Sequence, residues 1–170
     1  MIKIIGFIII VISSSKIGFD LAKKYLNRSR ELKAFMYVLE RLKSEIGFSN
    51  CIITDALVNS SNVKNETVKN MVGNLCQMVK NDNISLADAF NTYVKNDNSN
   101  SFSKSDVDEI YRFFSGVGSG DKEDEIENIN NCIENIRMNL RNAVEDEGRY
   151  VKLYRTSGVL AGFLIAVILA

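Results

Sequence analysis

Both ends of this 170-residue chain are apolar, and the basic residues beside each apolar end lie toward the middle of the chain. The first apolar segment covers residues 1–19, and the second covers residues 156–170. The flanking basic residues are Lys16, Lys23, Lys24, Arg28 and Arg30 for the first segment, and Lys152 and Arg155 for the second. Because positive charge beside a membrane span tends to stay in the cytoplasm, we expect two transmembrane helices that flank a cytoplasmic domain at residues 20–155.

Both apolar segments are short for membrane spans, which need about 20 residues and at least about 17. The first reaches about 19 if Lys3 and Lys16 extend their ammonium groups toward the two interfaces. The second reaches about 17 if Tyr154 is included. Two alternatives stay open: the first segment resembles the apolar region of a cleaved signal peptide, and the second has a length that buried core helices also use.

The middle of the chain shows the apolar spacing of α-helices and almost no alternation typical of strands. The clearest stretch predicts one long helix from Asp121 to Ala170, about 75 Å long at 1.5 Å per residue, with Gly148, Gly158 and Gly162 as places where it could bend. Its apolar positions are Ile126, Ile129, Ile133, Ile136, Leu140, Ala143, Tyr150 and Tyr154.

A second amphipathic helix of about 20 to 28 residues is expected after the first span, and three shorter segments with the same periodicity follow it. The apolar positions of that second helix are Leu32, Phe35, Leu39, Leu42 and Ile46. Those of the shorter segments are Val68, Met71, Leu75 and Met78, then Leu86, Phe90 and Tyr93, then Val107, Ile110, Phe114 and Val117.

Helix start signals divide these segments. Ser85 and Ser103 are each followed three residues later by an aspartate, which is the spacing of a helix N-cap with an acidic third residue. Asp121 opens the last helix. Polar turns are expected at residues 59–65, 81–83, 96–101 and 116–120. The sequence therefore predicts an all-α cytoplasmic bundle of about five or six helices, flanked by N- and C-terminal transmembrane helices.

Composition excludes most catalytic chemistry. The chain has no histidine, so nucleophiles activated by histidine are impossible, and its three cysteines are too widely spaced to predict a metal site. A net charge of zero gives no overall attraction to nucleic acid. The glycine-rich stretch at residues 116–120 joins two predicted helices and is interpreted as a turn, not a phosphate loop. We therefore expect no enzyme activity and no cofactor.

Charge is unevenly distributed along the chain. The membrane junction and the first amphipathic helix are rich in Lys and Arg, whereas residues 121–127 (DKEDEIE) are strongly acidic. Three interpretations stay open: these regions pair with each other inside the bundle, form two binding faces of opposite sign, or are ordinary solvated surface. The basic junction is also suited to contact anionic headgroups of the lipid bilayer.

Several segments in fixed order carry a family resemblance. They are MIKIIGFIIIV with GFDLAKKYLNRSRELKAF near the first end, LERLKSEIGFS at residues 39–49, GVGSGDKEDEI at residues 116–126, and KLYRTSGVLAGFLIAVILA at residues 152–170. In these segments, over essentially its full length, the chain resembles the stage III sporulation protein AB family. It departs from the usual pattern after Ser49, where NCIITDAL replaces a Thr-Pro-Leu motif, and at Glu125, where a Gln is usual.

The resemblance implies a platform component similar to the F proteins of type II secretion systems and type IV pilus machines. Implied partners are a hexameric secretion-type ATPase and ring-forming channel membrane proteins, in a channel complex between mother cell and forespore. The implied location is the mother-cell-side membrane around the forespore. The residues expected to contact a partner are Glu40, Glu45, Gly118, Gly120, Asp121, Glu123, Asp124 and Glu125.

The sequence thus predicts a non-enzymatic membrane scaffold that engages an ATPase through its cytoplasmic helices, and a homo-oligomer is compatible with that role. A membrane-tethered sensor or regulatory binding module without a secretion partner is the alternative. A third interpretation is a secreted helical protein released by signal cleavage near Lys16.

Overall fold

The structure is a computed structural model that describes residues 2–48, 53–96, 100–118 and 120–168, apart from the side chains of residues 2–5 and 7. The described residues are all-helical and contain no strand, as predicted. Their six helices are α1 (Ile2–Phe48), α2 (Ile53–Ser60), α3 (Glu66–Asp82), α4 (Leu86–Asn96), α5 (Lys104–Gly116) and α6 (Lys122–Ile168).

The chain divides into two compact units. Unit 1 consists of Met1–Ser29 and Asn142–Ala170, and unit 2 consists of Arg30–Arg141. The first part of α1 and the last part of α6 form unit 1, while the remaining parts of both helices and all of α2 to α5 form unit 2.

Unit 2 is built around large apolar side chains. Every position of the apolar stripe predicted for α1 between Leu32 and Ile46 is buried. Phe35 meets Phe113 and Phe114 of α5 edge to face, with ring centroids 6.4 and 6.3 Å apart, and Phe90 of α4 lies 5.5 Å from Phe114. Aromatic pairs at these separations add to the free energy gained from area burial. They join α1, α4 and α5 in one core.

The predicted helix starts are confirmed. The Ser103 hydroxyl accepts a hydrogen bond from the Asp106 N–H, and the Asp106 carboxylate accepts one from the Ser103 N–H, which completes a capping box at α5. Ser85 accepts a hydrogen bond from the Asp88 N–H at 3.1 Å. These caps satisfy backbone N–H groups that a helix start leaves without intrahelical partners.

Two local features differ from the sequence interpretation. Helix α2 was not predicted, because its eight residues make only about two turns and periodicity needs a longer window. Val117 was included in the stripe of α5, but the helix ends at Gly116 and Val117 has extended backbone angles. The core side chain that the stripe missed is Phe113, which is fully buried.

Unit 1 is an antiparallel pair of helices that touch through small residues around Gly18 and Gly158. On α1, Ser14 contacts Gly158 and Gly162, and Gly18 contacts Tyr154 and Gly158. A Cβ on Gly158 would lie 2.9 Å from the Gly18 Cα, and the Ser14 hydroxyl donates a hydrogen bond to the Gly158 carbonyl at 2.7 Å. The two backbones therefore approach so closely that no larger side chain fits between them.

The outer surface of unit 1 is apolar toward the start of α1 and the end of α6. Ile8, Ile12, Leu160 and Leu164 are all more than half exposed. The α6 helix is long enough and apolar enough to cross a membrane, and only 11% of its apolar 18-residue stretch is buried within the structure. The first predicted span includes residue 1 and the side chains of residues 2–5 and 7, which lie outside the described part of the chain.

The glycines of α6 lie within one continuous helix. The helix continues without interruption from Lys122 to Ile168. Gly158 and Gly162 lie where α1 approaches most closely, while a Cβ on Gly148 would meet open space. Gly158 and Gly162 therefore allow close packing, and the helix does not break at either of them.

Candidate functional site

The glycine-rich turn between α5 and α6 requires its glycines. Gly118 has φ +85°, a backbone conformation that side chains other than Gly disfavour. A Cβ on Gly120 would lie 2.6 Å from the Asp124 Cβ. Backbone geometry explains both residues, as the sequence interpretation of a turn expected.

Asp121 and Glu125 hold this turn from the side of α6. The Asp121 carboxylate accepts hydrogen bonds from the Glu123 and Asp124 N–H groups at 2.9 and 3.0 Å, so it caps the helix. Glu125 is only 4% exposed, and its Oε1 accepts a hydrogen bond from the Gly118 N–H at 2.6 Å. Its carboxylate therefore faces inward and supports the turn, so it is not part of the exposed surface expected to contact a partner.

Four acidic residues of the predicted set lie at one end of unit 2. Glu123 and Asp124 project from the first turn of α6, and the neighbouring Lys122 ammonium donates a hydrogen bond to the Gly47 carbonyl at 2.6 Å. The start of α6 thus lies against the last turn of α1, which also carries the half-buried Glu45. We call Glu45, Asp121, Glu123 and Asp124 the acidic end.

Phe48 adds an aromatic side chain to this end and was missed from the sequence. It is the last residue of α1 and is 92% exposed. It follows Ile46 by two residues, so it lies on a different face of the helix from the buried stripe. This spacing was the sequence signal that could have indicated an exposed aromatic residue. Aromatic side chains, Phe among them, are enriched in the cores of protein interfaces.

Glu40 lies on a different surface. It lines an open groove of about 870 Å³ between α1 and residues 62–65, together with Arg30, Lys33, Tyr37 and Lys64. Three of these neighbours are basic, so the groove is predominantly positive. The structure therefore does not bring Glu40 together with the acidic end.

Unit 2 also buries a carboxyl group that the sequence did not single out. Glu31 is 1% exposed and accepts a hydrogen bond from the Ser101 N–H at 2.7 Å. Burial raises the pKa of this carboxyl, and the hydrogen bond from Ser101 opposes part of that rise. The contact fastens the segment before α5 to α1.

The two described cysteines are buried thiols. Burial raises the pKa of the Cys76 thiol to about 11 and also raises that of Cys132. Raised thiol pKa values suppress the thiolate form that reacts or binds metals. Cys51 lies outside the described residues. Within the described ranges, no group of three or more cysteine, aspartate or glutamate side chains is placed to hold a metal ion.

Comparison with known proteins gives one consistent result. The family model of stage III sporulation protein AB matches residues 3–170. A curated relative from Bacillus subtilis (strain 168), named stage III sporulation protein AB, is 21% identical over 170 residues and is aligned over 99% of each chain. No solved structure matches.

Proposed function

Since the chain belongs to the stage III sporulation protein AB family, we propose that it is a membrane-anchored structural component of the sporulation machinery. In this proposal two spans hold a cytoplasmic helical bundle that engages a secretion-type ATPase and channel proteins in the membrane. The protein contributes binding surfaces and no catalytic group.

The observation that carries the proposal is the pairing of α1 with α6 in unit 1. Small residues line the contact and large apolar residues face outward. Helices that associate in lipid use this arrangement, because small residues let backbones pack closely while the bilayer solvates the outer side chains. The first part of α1 packs along the apolar part of α6. If that part of α6 lies in the membrane, the first part of α1 lies there too, which supports a second span in α1.

Antiparallel pairing also supports the proposed topology. In this proposal the chain crosses the membrane in one direction through α1 and returns through α6, so residues 30–141 would lie on one side of the membrane. The basic flanks favour the cytoplasm for that side.

Pairing also weighs against signal cleavage. Cleavage near Lys16 would remove Ser14, whose hydroxyl bonds to Gly158.

Topology is tested with full-length protein in bacterial membranes, using single cysteines in a variant that lacks Cys51, Cys76 and Cys132. A cysteine at Asn62, in the polar turn after α2, should react with a membrane-impermeant maleimide only after the cells are opened. One placed before Met1 should react in intact cells. Labelling of both positions in intact cells would contradict the cytoplasmic placement of unit 2, and release of the protein by alkaline carbonate would contradict insertion.

For the ATPase, we propose the acidic end together with Phe48 as the contact surface. Its carboxylates and exposed ring match a partner surface that offers basic residues around an apolar pocket. Glu40, which borders the basic groove, would contribute separately.

This contact is tested by pull-down of the cognate ATPase with full-length protein in detergent. We expect the double variant Glu123→Lys/Asp124→Lys and the single variant Phe48→Ala each to lower ATPase recovery at least tenfold. The matched control Asp82→Lys/Asp108→Lys makes the same change of charge at exposed positions of α3 and α5 and should bind normally. Equal recovery with all variants would assign the contact to another surface.

The alternative, a membrane-tethered sensor without a secretion partner, makes a different prediction. A sensor would show no recovery of the ATPase by the unmodified chain. The same pull-down therefore separates the two functions.

A further inference from the structure

We propose that the membrane junction of unit 1 is a binding surface for the headgroups of anionic phospholipids. The surface consists of five exposed basic residues, which we call the basic collar: Lys16, Lys23, Lys24, Lys152 and Arg155. The inference rests on the proposed membrane insertion of α1 and α6.

The register of the helix pair brings the collar together. Gly18 lies opposite Gly158, and the Arg28 guanidinium lies 3.2 Å from the Asp146 carboxylate. Between these two contacts, Lys23 and Lys24 of α1 come to the level of Lys152 on α6. Lys23 and Lys24 therefore lie at one level with Lys152, about 130 positions away in the chain, and Lys16 lies seven residues before Lys23 on α1.

The collar has the right depth for headgroups. Lys152 precedes the apolar run that starts at Ser157 by five residues, or about 7.5 Å of helix. The headgroup layer on each side of a bilayer is about 5 to 8 Å thick. The Arg155 guanidinium lies closer to the apolar run, 5.6 Å from the centroid of the Phe19 ring.

Nearby carboxylates already have partners within unit 1. Asp146 pairs with Arg28, Glu147 accepts a hydrogen bond from the Ser29 hydroxyl, and Glu145 pairs with Arg149 at 3.5 Å. The exposed Asp20 is the remaining acidic residue between Lys16 and Lys24. Five basic residues against one such acid leave the collar positive and available to anionic groups.

A stack of tyrosines marks the same layer. The Tyr25 ring lies 5.1 Å from the Tyr150 ring and 5.7 Å from the Tyr154 ring, measured between centroids. Tyrosine is enriched where a protein passes from lipid to water, because its ring is apolar and its hydroxyl is polar. The aromatic stack and the lysines thus belong to one interfacial band.

The test measures lipid retention by full-length protein in detergent, using native mass spectrometry with equimolar phosphatidylglycerol and phosphatidylcholine. We expect the unmodified protein to retain phosphatidylglycerol in preference to phosphatidylcholine. The variant Lys23→Gln/Lys24→Gln/Lys152→Gln should lose this preference, by about fivefold for each lysine at low salt, and added salt should weaken it in the unmodified protein.

The control variant Lys64→Gln/Lys95→Gln/Lys104→Gln removes three exposed lysines of unit 2 and should keep the preference. Equal loss in both triple variants, or no preference in the unmodified protein, overturns the inference. Alkaline extraction of membranes that contain the unmodified protein distinguishes this failure from failure of the proposed function. A protein that stays inserted but does not select anionic lipid contradicts the lipid inference and leaves the proposed function intact.

Discussion

Unit 2 buries many large side chains, such as Phe35, Leu39 and Phe113, whereas the buried positions of unit 1 include Gly18, Ala22 and Ala166. On the outer surfaces, the large apolar side chains are a feature of unit 1. Unit 1 exposes leucine and isoleucine, while the surface of unit 2 carries most of its charged residues. The same two helices, α1 and α6, contribute to both arrangements.

Under the proposed membrane insertion of unit 1, this contrast reflects two different solvents. In water, burial of apolar area supplies the free energy, so large side chains belong inside. In lipid that driving force between helices is absent, and close backbone contact with hydrogen bonding replaces it. Regions of one helix can therefore be assigned to water or lipid by the size of the residues that they bury.

The largest effect should come from removing a buried leucine of the bundle. Leu39→Ala should destabilise unit 2 by about 2 to 5 kcal/mol, because it leaves a cavity in the core. Leu164→Ala, at a residue that is 63% exposed on unit 1, should leave the helix pair unchanged. Hydrogen exchange with mass spectrometry on full-length protein in detergent reports both regions. Equal protection losses would contradict the assignment of the outer surface of unit 1 to lipid.

Glycine replacements should have opposite effects in the two units. Gly158→Ala forces the backbones of α1 and α6 apart and should cost about 1 to 3 kcal/mol of pairing. Gly73→Ala, in α3 where a Cβ meets open space, should stabilise its helix by about 0.5 to 1 kcal/mol. Hydrogen-exchange rates of α6 and of α3 measure the two effects. A neutral Gly158→Ala variant would argue against the close contact.

Serine hydroxyls provide a smaller comparison. Ser103→Ala removes the cap of α5 and should cost about 1 kcal/mol. Ser14→Ala removes the hydrogen bond to the Gly158 carbonyl and should cost about 0.6 kcal/mol, the average for such bonds between helices in membranes. Ser115→Ala, at an exposed serine in α5, is the control for the first variant. Hydrogen exchange again separates the two losses.

The smallest predicted effect is a pH dependence confined to unit 2. Because burial raises the pKa of Glu31 above the unfolded value of 4.5, the folded state binds this proton more tightly than the unfolded state. The stabilising contribution is therefore full below pH 4.5 and is lost as pH rises through the folded pKa.

Glu31→Gln keeps an acceptor for the Ser101 N–H but cannot ionise. As pH increases above 4.5, urea denaturation should show the variant gaining stability relative to the unmodified protein. An unchanged difference across this range would show that Glu31 ionises as freely in the folded state as in the unfolded state.

Much of the fold could be predicted because long amphipathic helices repeat their signal many times. The stripe from Leu32 to Ile46 and the start of the last helix at Asp121 both have local causes in sequence. Helix α2 was missed because two turns hold too few apolar positions. The pairing of Gly18 with Gly158 could not be predicted, since a glycine suited to a bend looks the same in sequence as a glycine in a close contact.

The candidate site was only partly predictable for the same reason. Acidic residues at a helix start are visible in the sequence, and Glu123 and Asp124 are indeed exposed. The inward orientation of Glu125 depends on the path of the turn at Gly118, which periodicity does not specify. The exposure of Phe48 depends on where α1 ends relative to the rest of unit 2.

Antiparallel pairing of α1 and α6 has a practical consequence for labelling experiments. Because α1 begins and α6 ends at the same end of the pair, fluorescent or enzymatic tags fused to either terminus would occupy the same compartment. If the pair is inserted in the membrane as proposed, the N-terminal and C-terminal tags would report the same compartment as each other in either orientation. An internal tag in the polar turn around Asn62 is therefore needed as an independent reference for orientation.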